Sequence, residues 1–455
     1  MTDTPDTPDT PDTSSTSSTP DTPDTPEMPG TPATAEPSVI PTAKARPWDI
    51  VVFGATGFAG RLIARYLARH IAGHAAGATD PSSGLRLAIA GRNRDKLEAI
   101  RAGLAGGTDG ADHLDVAGIG IITASVDDPA SLAAMARACR VLVTTVGPYM
   151  RHGLPVVAAC VAAGTDYIDL TGEPGFVAAI TARHDAEARA NGSLVIPCCG
   201  FDSIPTDLGV LFTIKQLPAG LPIKIEGYFE ARASFSGGTF ASALGAFAEL
   251  GRERAPRPAI DSSAAPGPVV RREPGRLHYQ KALRRWALPM PTIDPQIALR
   301  SARSRGDYGP EFRYGHYMCI KTLPRVGLLL ASVGALVALA QTRPTRALLE
   351  RLRPSGTGPS EAERSASWFK FTFFGQAGEH RVVTEVRGGD PGYDETARMA
   401  AESALCLATQ REQLPHRGGV RTTAEAMGEP LLARLQAAGL RFRVLTGDAA
   451  GGDAT

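Results

Sequence analysis

At 455 residues the chain is too long for one mononucleotide-binding unit and predicts two domains once a tail is set aside. Its 48 Lys and Arg against 47 Asp and Glu leave a formal charge of +1, which excludes the basic surface of a protein whose partner is nucleic acid. The 6 cysteines, Cys139, Cys160, Cys198, Cys199, Cys319 and Cys406, form no CxxC pair and have no histidine at ligand spacing, so neither a metal site nor a disulfide framework is expected.

Residues 1–46 repeat Thr-Pro-Asp among further Ser and Thr and hold almost no large apolar side chains, which predicts a disordered tail. No apolar run follows a basic start there, so a secretory signal is not expected, and free thiols fit a reducing cytoplasm. Residues 50–53 are then continuously apolar, as suits a parallel strand covered on both faces, and Gly54, Gly57 and Gly60 follow at once. Gly54 allows a sharp turn, Gly57 lets backbone N–H groups approach an anion, and Gly60 allows close helix-to-strand packing. Ala55, Thr56 and Phe58 complete the turn, and Leu62, Ile63, Tyr66 and Leu67 recur at helical spacing after it. Strand, glycine turn and helix together point to a dinucleotide whose pyrophosphate lies at the helix N-terminus. The glycines are spaced GxxGxxG, and a tight turn in a ligand-free α/β domain is the competing reading.

A second strand, over residues 85–90, runs into Gly91, Arg92, Asn93 and Arg94. An NAD enzyme places an acid at this strand end for the ribose 2′-hydroxyl; these side chains would instead attract a 2′-phosphate, which favours NADP. A solvated basic turn capping the helix that begins at Asp95 is the plainer alternative. The rhythm continues with a strand over 119–123, a helix over 129–139 and a strand over 141–146. A helix over 154–163, a strand over 167–170, a helix ending at Asn191-Gly192 and a strand over 194–196 follow. This alternation predicts the α/β class, with a Rossmann-like doubly wound parallel sheet that binds ligands beyond the carboxyl ends of its strands. Thr145, Val146, Gly147 and Pro148 are then placed to pass beneath ribose and nicotinamide, with segments 169–173 and 199–207 bordering the same crevice. Tyr149 reads either as an amphipathic filler or as a proton donor. Asp202 and Asp207 read as capping or structural groups ahead of a helix over 208–217, with an acid/base role as the alternative, and His152 as a solvated loop histidine or a proton shuttle.

From Ile223 the pattern changes to a strand over 223–231, a turn at Phe235-Ser236-Gly237-Gly238-Thr239, a helix reaching Leu250 and an exposed loop over 252–275. Alternating residues over 368–374 and 380–387 predict an antiparallel hairpin. The second domain is therefore expected to be α+β, built on a mixed or antiparallel sheet. The expected boundaries are 47–205 for the NADP-binding domain, 206–400 for a substrate domain and 401–455 for a C-terminal helical segment. Residues 326–340 are uncharged, with Lys321 and Arg325 before them and Arg343 and Arg346 after. The run is short for a membrane span, and three readings stand open: a buried core helix, a tunnel wall, or peripheral contact with the inner face of the plasma membrane.

Several motifs resemble the saccharopine dehydrogenase-like oxidoreductases and, within them, the trans-acting enoyl reductases of actinobacterial lipid biosynthesis. They are Gly54-Ala55-Thr56-Gly57-Phe58-Ala59-Gly60, Ala90-Gly91-Arg92, Val146-Gly147-Pro148-Tyr149, Tyr167-Ile168-Asp169-Leu170-Thr171-Gly172-Glu173 and Cys199-Gly200-Phe201-Asp202-Ser203-Ile204-Pro205. Later matches are Ser236-Gly237-Gly238-Thr239, Gly389-Asp390-Pro391-Gly392-Tyr393 and Gly418-Gly419-Val420 with Thr422 and Thr423. The resemblance implies a Rossmann domain, a mixed-sheet second domain and a C-terminal segment that returns to the first. It also implies NADPH-dependent reduction of a carbon–carbon double bond in a fatty-acyl or polyketide intermediate, presented on the carrier protein of a synthase lacking its own enoyl reductase. Hydride would go to the β-carbon and a proton to the α-carbon, with Tyr149 suggested as the donor; the family supplies no catalytic residue to carry over. A saccharopine-type enzyme acting on a C–N bond would instead present cationic groups to substrate carboxylates, and a non-catalytic NADP-binding lipid-surface protein would need no proton donor.

Overall fold

The computed structural model describes residues 46–72, 84–105, 116–233, 267–340, 345 and 358–447. The Thr/Pro/Asp-rich tail to residue 45, the turn and helix expected over 235–250, Arg343 and Arg346 lie outside the described residues.

Six strands alternate with helices in the first half: β1 (Trp48–Phe53), β2 (Leu87–Gly91), β3 (Gly120–Thr123), β4 (Cys139–Thr144), β5 (Asp166–Asp169) and β6 (Leu194–Ile196). The helices are α1 (Phe58–Ile71), α2 (Arg94–Ala105), α3 (Pro129–Ala138), α4 (Tyr149–Ala163) and α5 (Pro174–Asn191). All six strands pair in parallel, in the order β6-β5-β4-β1-β2-β3, so the chain starts in the middle and winds outward both ways. Alternate residues of β1 explain the double covering: Ile50 and Val52 enter one core with Ile63 and Leu67 of α1, while Val51 and Phe53 enter another with Leu132, Val157 and Ile180 of α3, α4 and α5. A strand buried on both faces has no need of polar alternation, which is why it reads as one apolar run.

After β6 the chain enters α6 (Ile204–Ile214), nearly every residue of which is buried. This helix covers the inner face of a second sheet, where Gly209 leaves room for the Phe373 ring. That sheet contains β7 (Ile223–Arg232), β8 (Val269–Arg272), β9 (His278–Gln280), β10 (Arg285–Pro289), β11 (Glu311–Ile320), β12 (Trp368–Ala377) and β13 (His380–Gly388). It is mixed: β11 runs parallel to β7 and β8, and the remaining pairs are antiparallel. The hairpin expected from the sequence is β12–β13, closed by a turn in which Gly378 sits at φ +60°. Connecting helices are α7 (Asp294–Ser304), α8 (Leu323–Ala340) and α9 (Glu361–Ser365).

The C-terminal part is not simply helical. α10 (Asp394–Gln410) packs on α1, β4 and β5 of the parallel sheet, so a boundary at 400 cuts a helix that belongs to the Rossmann layer. β14 (Gly419–Val420) then extends the parallel sheet beside β6. α11 (Thr423–Ala426) and α12 (Gly428–Ala437) lead to β15 (Arg441–Gly447), which pairs with β13 at the edge of the other sheet. Glu402 of α10 accepts hydrogen bonds from Tyr66 of α1 at 2.7 Å and Arg434 of α12 at 2.8 Å, pinning this return. The boundary at 205 likewise falls inside the first turn of α6, and the expected loop over 252–275 contains strand β8.

α8 corrects two of the three readings of the apolar segment. Val326 is buried, but Leu328 is 68% exposed and Leu330 52%, so the helix is neither core nor tunnel wall among the described residues. No helix of the described residues is long and apolar enough to cross a membrane.

Candidate active site

The glycine turn has the geometry that its spacing implies. Gly54 adopts φ +89°, and a Cβ there would stand 2.6 Å from Thr145 Oγ1. Gly54 N donates to Ala90 O at 2.9 Å and Gly57 N to Gly54 O at 2.9 Å, folding the chain back on itself before α1 starts with Gly57 as its cap. A Cβ on Gly60 would run into Gly54 O, so helix and turn touch backbone to backbone. The first turn of α1 carries no acid. Phe58 turns away to the second domain, its ring meeting Tyr393 edge-on at 4.5 Å with the Arg364 guanidinium 5.5 Å from its centroid.

At the end of β2, Arg92, Asn93 and Arg94 are all exposed. Asn93 Oδ1 accepts from Lys96 N at 2.9 Å, capping α2, and Arg94 pairs with Glu98 at 3.0 Å. The capping alternative therefore holds for Asn93. Arg92 has no partner among the described residues and is available to a phosphate. An exposed guanidinium beside a glycine turn that leaves its backbone open fits a dinucleotide carrying a 2′-phosphate.

Beyond β4, Thr145 Oγ1 donates to Gly54 O at 3.2 Å, tying this strand end to the glycine turn. Val146, Gly147 and Pro148 follow, with a cis Gly147–Pro148 peptide. Glu173, from the loop after β5, accepts from the backbone N–H groups of Tyr149 and Met150, both at 2.9 Å, and so caps α4. Tyr149 is not placed as a proton donor. Its buried hydroxyl donates to Thr144 O at 3.2 Å and accepts from Leu170 N at 3.2 Å, bracing the ends of β4 and β5. Burial, with the nearby Asp169 carboxylate, pushes that phenol well above its ordinary range, which leaves it neutral and fully engaged. Asp169 is equally structural: it accepts from Thr171 N, Cys198 N and Tyr167 Oη, each at 2.9 Å, while burial raises its carboxyl to about 6. Cys198, held at φ +63°, is the strained link between these two loops.

The two carboxylates near the start of α6 differ. Asp207 accepts from Ser301 Oγ at 2.6 Å and from Thr423 Oγ1 and Ala424 N at 2.7 Å, which joins α6, α7 and α11 and bears out its structural reading. Asp202 caps nothing. Its carboxylate has no partner among the described residues, and burial alone pushes it up to about 6. Across from it stands Asp294, raised to about 7 chiefly by burial and further by the charge of Asp202. Asp294 Oδ1 accepts from Thr206 Oγ1 at 2.9 Å, and its Oδ2 lies 4.0 Å from His316 Nε2. Phe201 sits beside this group, 4.9 Å from Phe369 and 5.7 Å from Phe229 between ring centroids. The Rossmann strand ends thus meet the second sheet through aromatic rings and two acids, Asp202 and Asp294. Asp294 and His316 carry no sequence signal that singles them out; only the crossing of β11 past α6 brings them to Asp202.

Residues 50–196 match the family model described as the saccharopine dehydrogenase NADP binding domain. A candidate trans-acting enoyl reductase of Mycobacterium tuberculosis is 34% identical over 431 residues, spanning 88% of this chain and 98% of the relative. A trans-acting enoyl reductase of Mycobacterium bovis is 34% identical over 425 residues, spanning 87% and 97%. Among solved structures, saccharopine dehydrogenase (L-Glu forming) of Saccharomyces cerevisiae overlays with a TM-score of 0.49 at 11% identity, covering 88% of this chain and 100% of that one. With the strand order, the glycine turn and identity spanning nearly the whole length of these relatives, the chain belongs to the trans-acting enoyl reductase family and is an oxidoreductase with a saccharopine dehydrogenase-type NADP-binding domain.

Proposed function

We propose that the protein reduces the α,β double bond of a fatty-acyl or polyketide thioester with NADPH, serving a lipid synthase whose carrier protein presents the substrate. The observation that carries this reading is the junction between the two sheets, lined by Phe201, Phe229 and Phe369 and by the carboxyls of Asp202 and Asp294, neither of which has a cationic partner among the described residues. An apolar acyl chain suits such a lining. The carboxylates of an amino-acid substrate would be repelled by it, which disfavours C–N chemistry of the saccharopine type. The names of the relatives support the same reaction class.

In this reading Gly54, Ala55, Thr56, Gly57, Phe58 and Gly60 hold the pyrophosphate at the N-terminus of α1. Arg92 takes the 2′-phosphate, with Asn93 beside it, and Thr145, Val146, Gly147 and Pro148 line the nicotinamide half. Bound NADPH would supply hydride, and the chain's own task is to orient the enoyl group, exclude water and deliver a proton. The exposed α8, with Lys321 and Arg325 at its start, would rest on the anionic inner face of the plasma membrane, close to lipid-building enzymes in the cytoplasm.

The test is NADPH oxidation, followed by absorbance, with the full chain and a long-chain trans-2-enoyl thioester. Turnover that disappears in Gly57→Asp supports the reading. Tight NADPH binding without oxidation by enoyl thioesters of any chain length would overturn it in favour of a non-catalytic nucleotide-binding protein.

A further inference from the structure

A buried cluster of titratable groups lies where the loop after β6 meets β11, and the cofactor crevice does not account for it. Thr206 Oγ1 bonds Asp294 Oδ1 at 2.9 Å, and Tyr314 Oη lies 2.9 Å from His316 Nδ1. The His316 side chain is fully enclosed; its Nε2 has no hydrogen-bond partner and points at Asp294 Oδ2 from 4.0 Å. Asp202 stands on the crevice side of this group. It keeps part of its surface open and lies so close to the loop after β5 that a Cβ on Gly172 would come within 2.8 Å of its Oδ2.

The contrast with Asp207 shows that this arrangement is not a structural default. A buried carboxylate that only holds elements together is saturated with donors, as Asp207 is by Ser301, Thr423 and Ala424. Asp202 has none among the described residues and keeps part of its surface open, while the enclosed Nε2 of His316 is left bare. Unpaired buried polar atoms destabilise a fold and concentrate where chemistry needs them. The position agrees: Asp202 follows β6 and abuts the loop after β5, in the half of the sheet where the nicotinamide of a doubly wound domain lies.

We propose that Asp202 is the proton donor of the reduction, with Asp294 and His316 behind it as the pair that restores its proton. This rests on the enoyl-reductase reading. The β-carbon of the enoyl thioester accepts hydride from the bound cofactor, which is oxidised, and the π electrons move onto the α-carbon and thioester carbonyl. The Asp202 O–H bond then breaks, its proton forms the new C–H bond at the α-carbon, and the electron pair stays on the carboxylate. Solvent, through Asp294, replaces the proton. Two neighbouring carboxyls, Asp294 enclosed and Asp202 part-open, hold a proton between them at neutral pH because both cannot ionise freely. Cys198 faces Asp202 from the loop after β6, Tyr314 and His316 face the pair from β11, Arg272 adds positive charge from β8, and Asp207 lies beyond Tyr314.

The experiment uses full-length Asp202→Asn and Gly172→Ala proteins. NADPH affinity is read by fluorescence titration, turnover of a trans-2-enoyl thioester as a function of pH, and the aspartate carboxyls by carbon-13 NMR of cofactor-free protein. Asp202→Asn is expected to keep its NADPH affinity within about twofold and to lose about 10²- to 10⁴-fold in turnover, the range for a positioned general acid. Asp202→Asn also removes the negative charge that raises its neighbour, so the Asp294 carboxyl titrates at lower pH in that variant. Gly172→Ala, whose methyl covers the carboxyl, should lower turnover at unchanged NADPH affinity and serves if Asp202→Asn does not fold. Full turnover in Asp202→Asn overturns the proposal, as does an Asp294 resonance that titrates in the ordinary carboxylate range and ignores Asp202→Asn. If the parent reduces no enoyl thioester, the enoyl reading fails by itself, and the NMR coupling still decides whether the two carboxyls form a pair.

Discussion

The two walls of the crevice are made of different material. The wall proposed to hold the cofactor is backbone: Gly54, Gly57 and Gly60 lie within seven residues, bonded to Ala90 and Thr145, and its shape depends on side chains that are missing. The side proposed to face the substrate is made of side chains, with Asp202 in front and Asp294 and His316 enclosed behind it, arriving from three elements spread over more than a hundred residues. A wall of backbone fixes position and tolerates no added atom. One made of side chains fixes charge, and should accept a change of shape more readily than a change of ionisation.

The sharpest way to break this contrast is to add one carbon to the cofactor wall. Gly60→Ala puts a methyl into Gly54 O and 2.9 Å from Thr145 Oγ1, so either the turn opens or the helix withdraws. The expected cost is about 2 kcal/mol of stability, and NADPH affinity should fall about 100-fold, because the N–H groups no longer converge. Calorimetric titration and thermal unfolding measure both. Parental NADPH affinity in this variant would mean that the turn does not hold the nucleotide.

The same contrast explains what the sequence disclosed. Residues 50–53 of β1 and all of β6 are short, continuous apolar runs followed by glycine and proline turns, and a parallel strand covered on both faces leaves that local trace. The hairpin β12–β13 was legible through alternation, Phe369, Phe371 and Phe373 turning inward. β8 was not: Val269-Val270-Arg271-Arg272 is mostly exposed and has no period, and its place beside β11 is set by a partner strand some forty residues on. Asp202 was visible but looked like a cap, because the helix after it was expected at Leu208 rather than at Ile204, where Ser203 is the N-cap. Tyr149 stayed open between filler and proton donor for a related reason. A phenol after Gly147-Pro148 stands near the site in any register, and only the structure shows its hydroxyl spent on Thr144 and Leu170. An uncharged run such as α8 has the same composition whether it is buried or bare, so composition could not separate its three readings.

A smaller change sharpens the cofactor wall. Arg92→Ala removes the free guanidinium at the end of β2 while Arg94 stays with Glu98. A charge-assisted pair is worth about 1.5 to 3 kcal/mol, so preference for NADPH over NADH should fall about 10- to 100-fold with NADH affinity unchanged. Equal losses for both nucleotides would place Arg92 elsewhere.

On the substrate wall, pH is the lever. Asp294 has its folded value raised from 3.8 to about 7, chiefly by burial. Its contribution is full where both folded and unfolded chains hold the proton, declines once the unfolded chain releases it, and is lost as pH rises through the folded value. Asp202, raised in the same direction, adds to the slope. Asp294→Asn deletes one of the two groups, so the stability of the variant relative to the parent should climb between pH 5 and pH 8 by an amount of the order of 1 kcal/mol, and its melting temperature with it. Thermal scans at four pH values suffice. A difference that stays flat means that Asp294 is already ionised throughout.

The weakest effect on the fold is expected at α8, and there the absence of an effect is informative. Its 18 residues rise about 27 Å at 1.5 Å each, and Leu328 and Leu330 stand mostly in solvent. Leu328→Glu with Leu330→Glu should shift stability by no more than about 0.5 kcal/mol, since neither leaf of the structure packs on these side chains. If α8 lies on an anionic leaflet with Arg325 toward the headgroups, the same pair of changes buries two carboxylates in apolar lipid and repels them from its charge. The parent should then sediment with phosphatidylglycerol vesicles and the variant stay behind at an equal melting temperature. A melting temperature several degrees lower would show that protein, not lipid, covers the helix in solution, and a parent that ignores the vesicles would leave the exposed leucines to another protein.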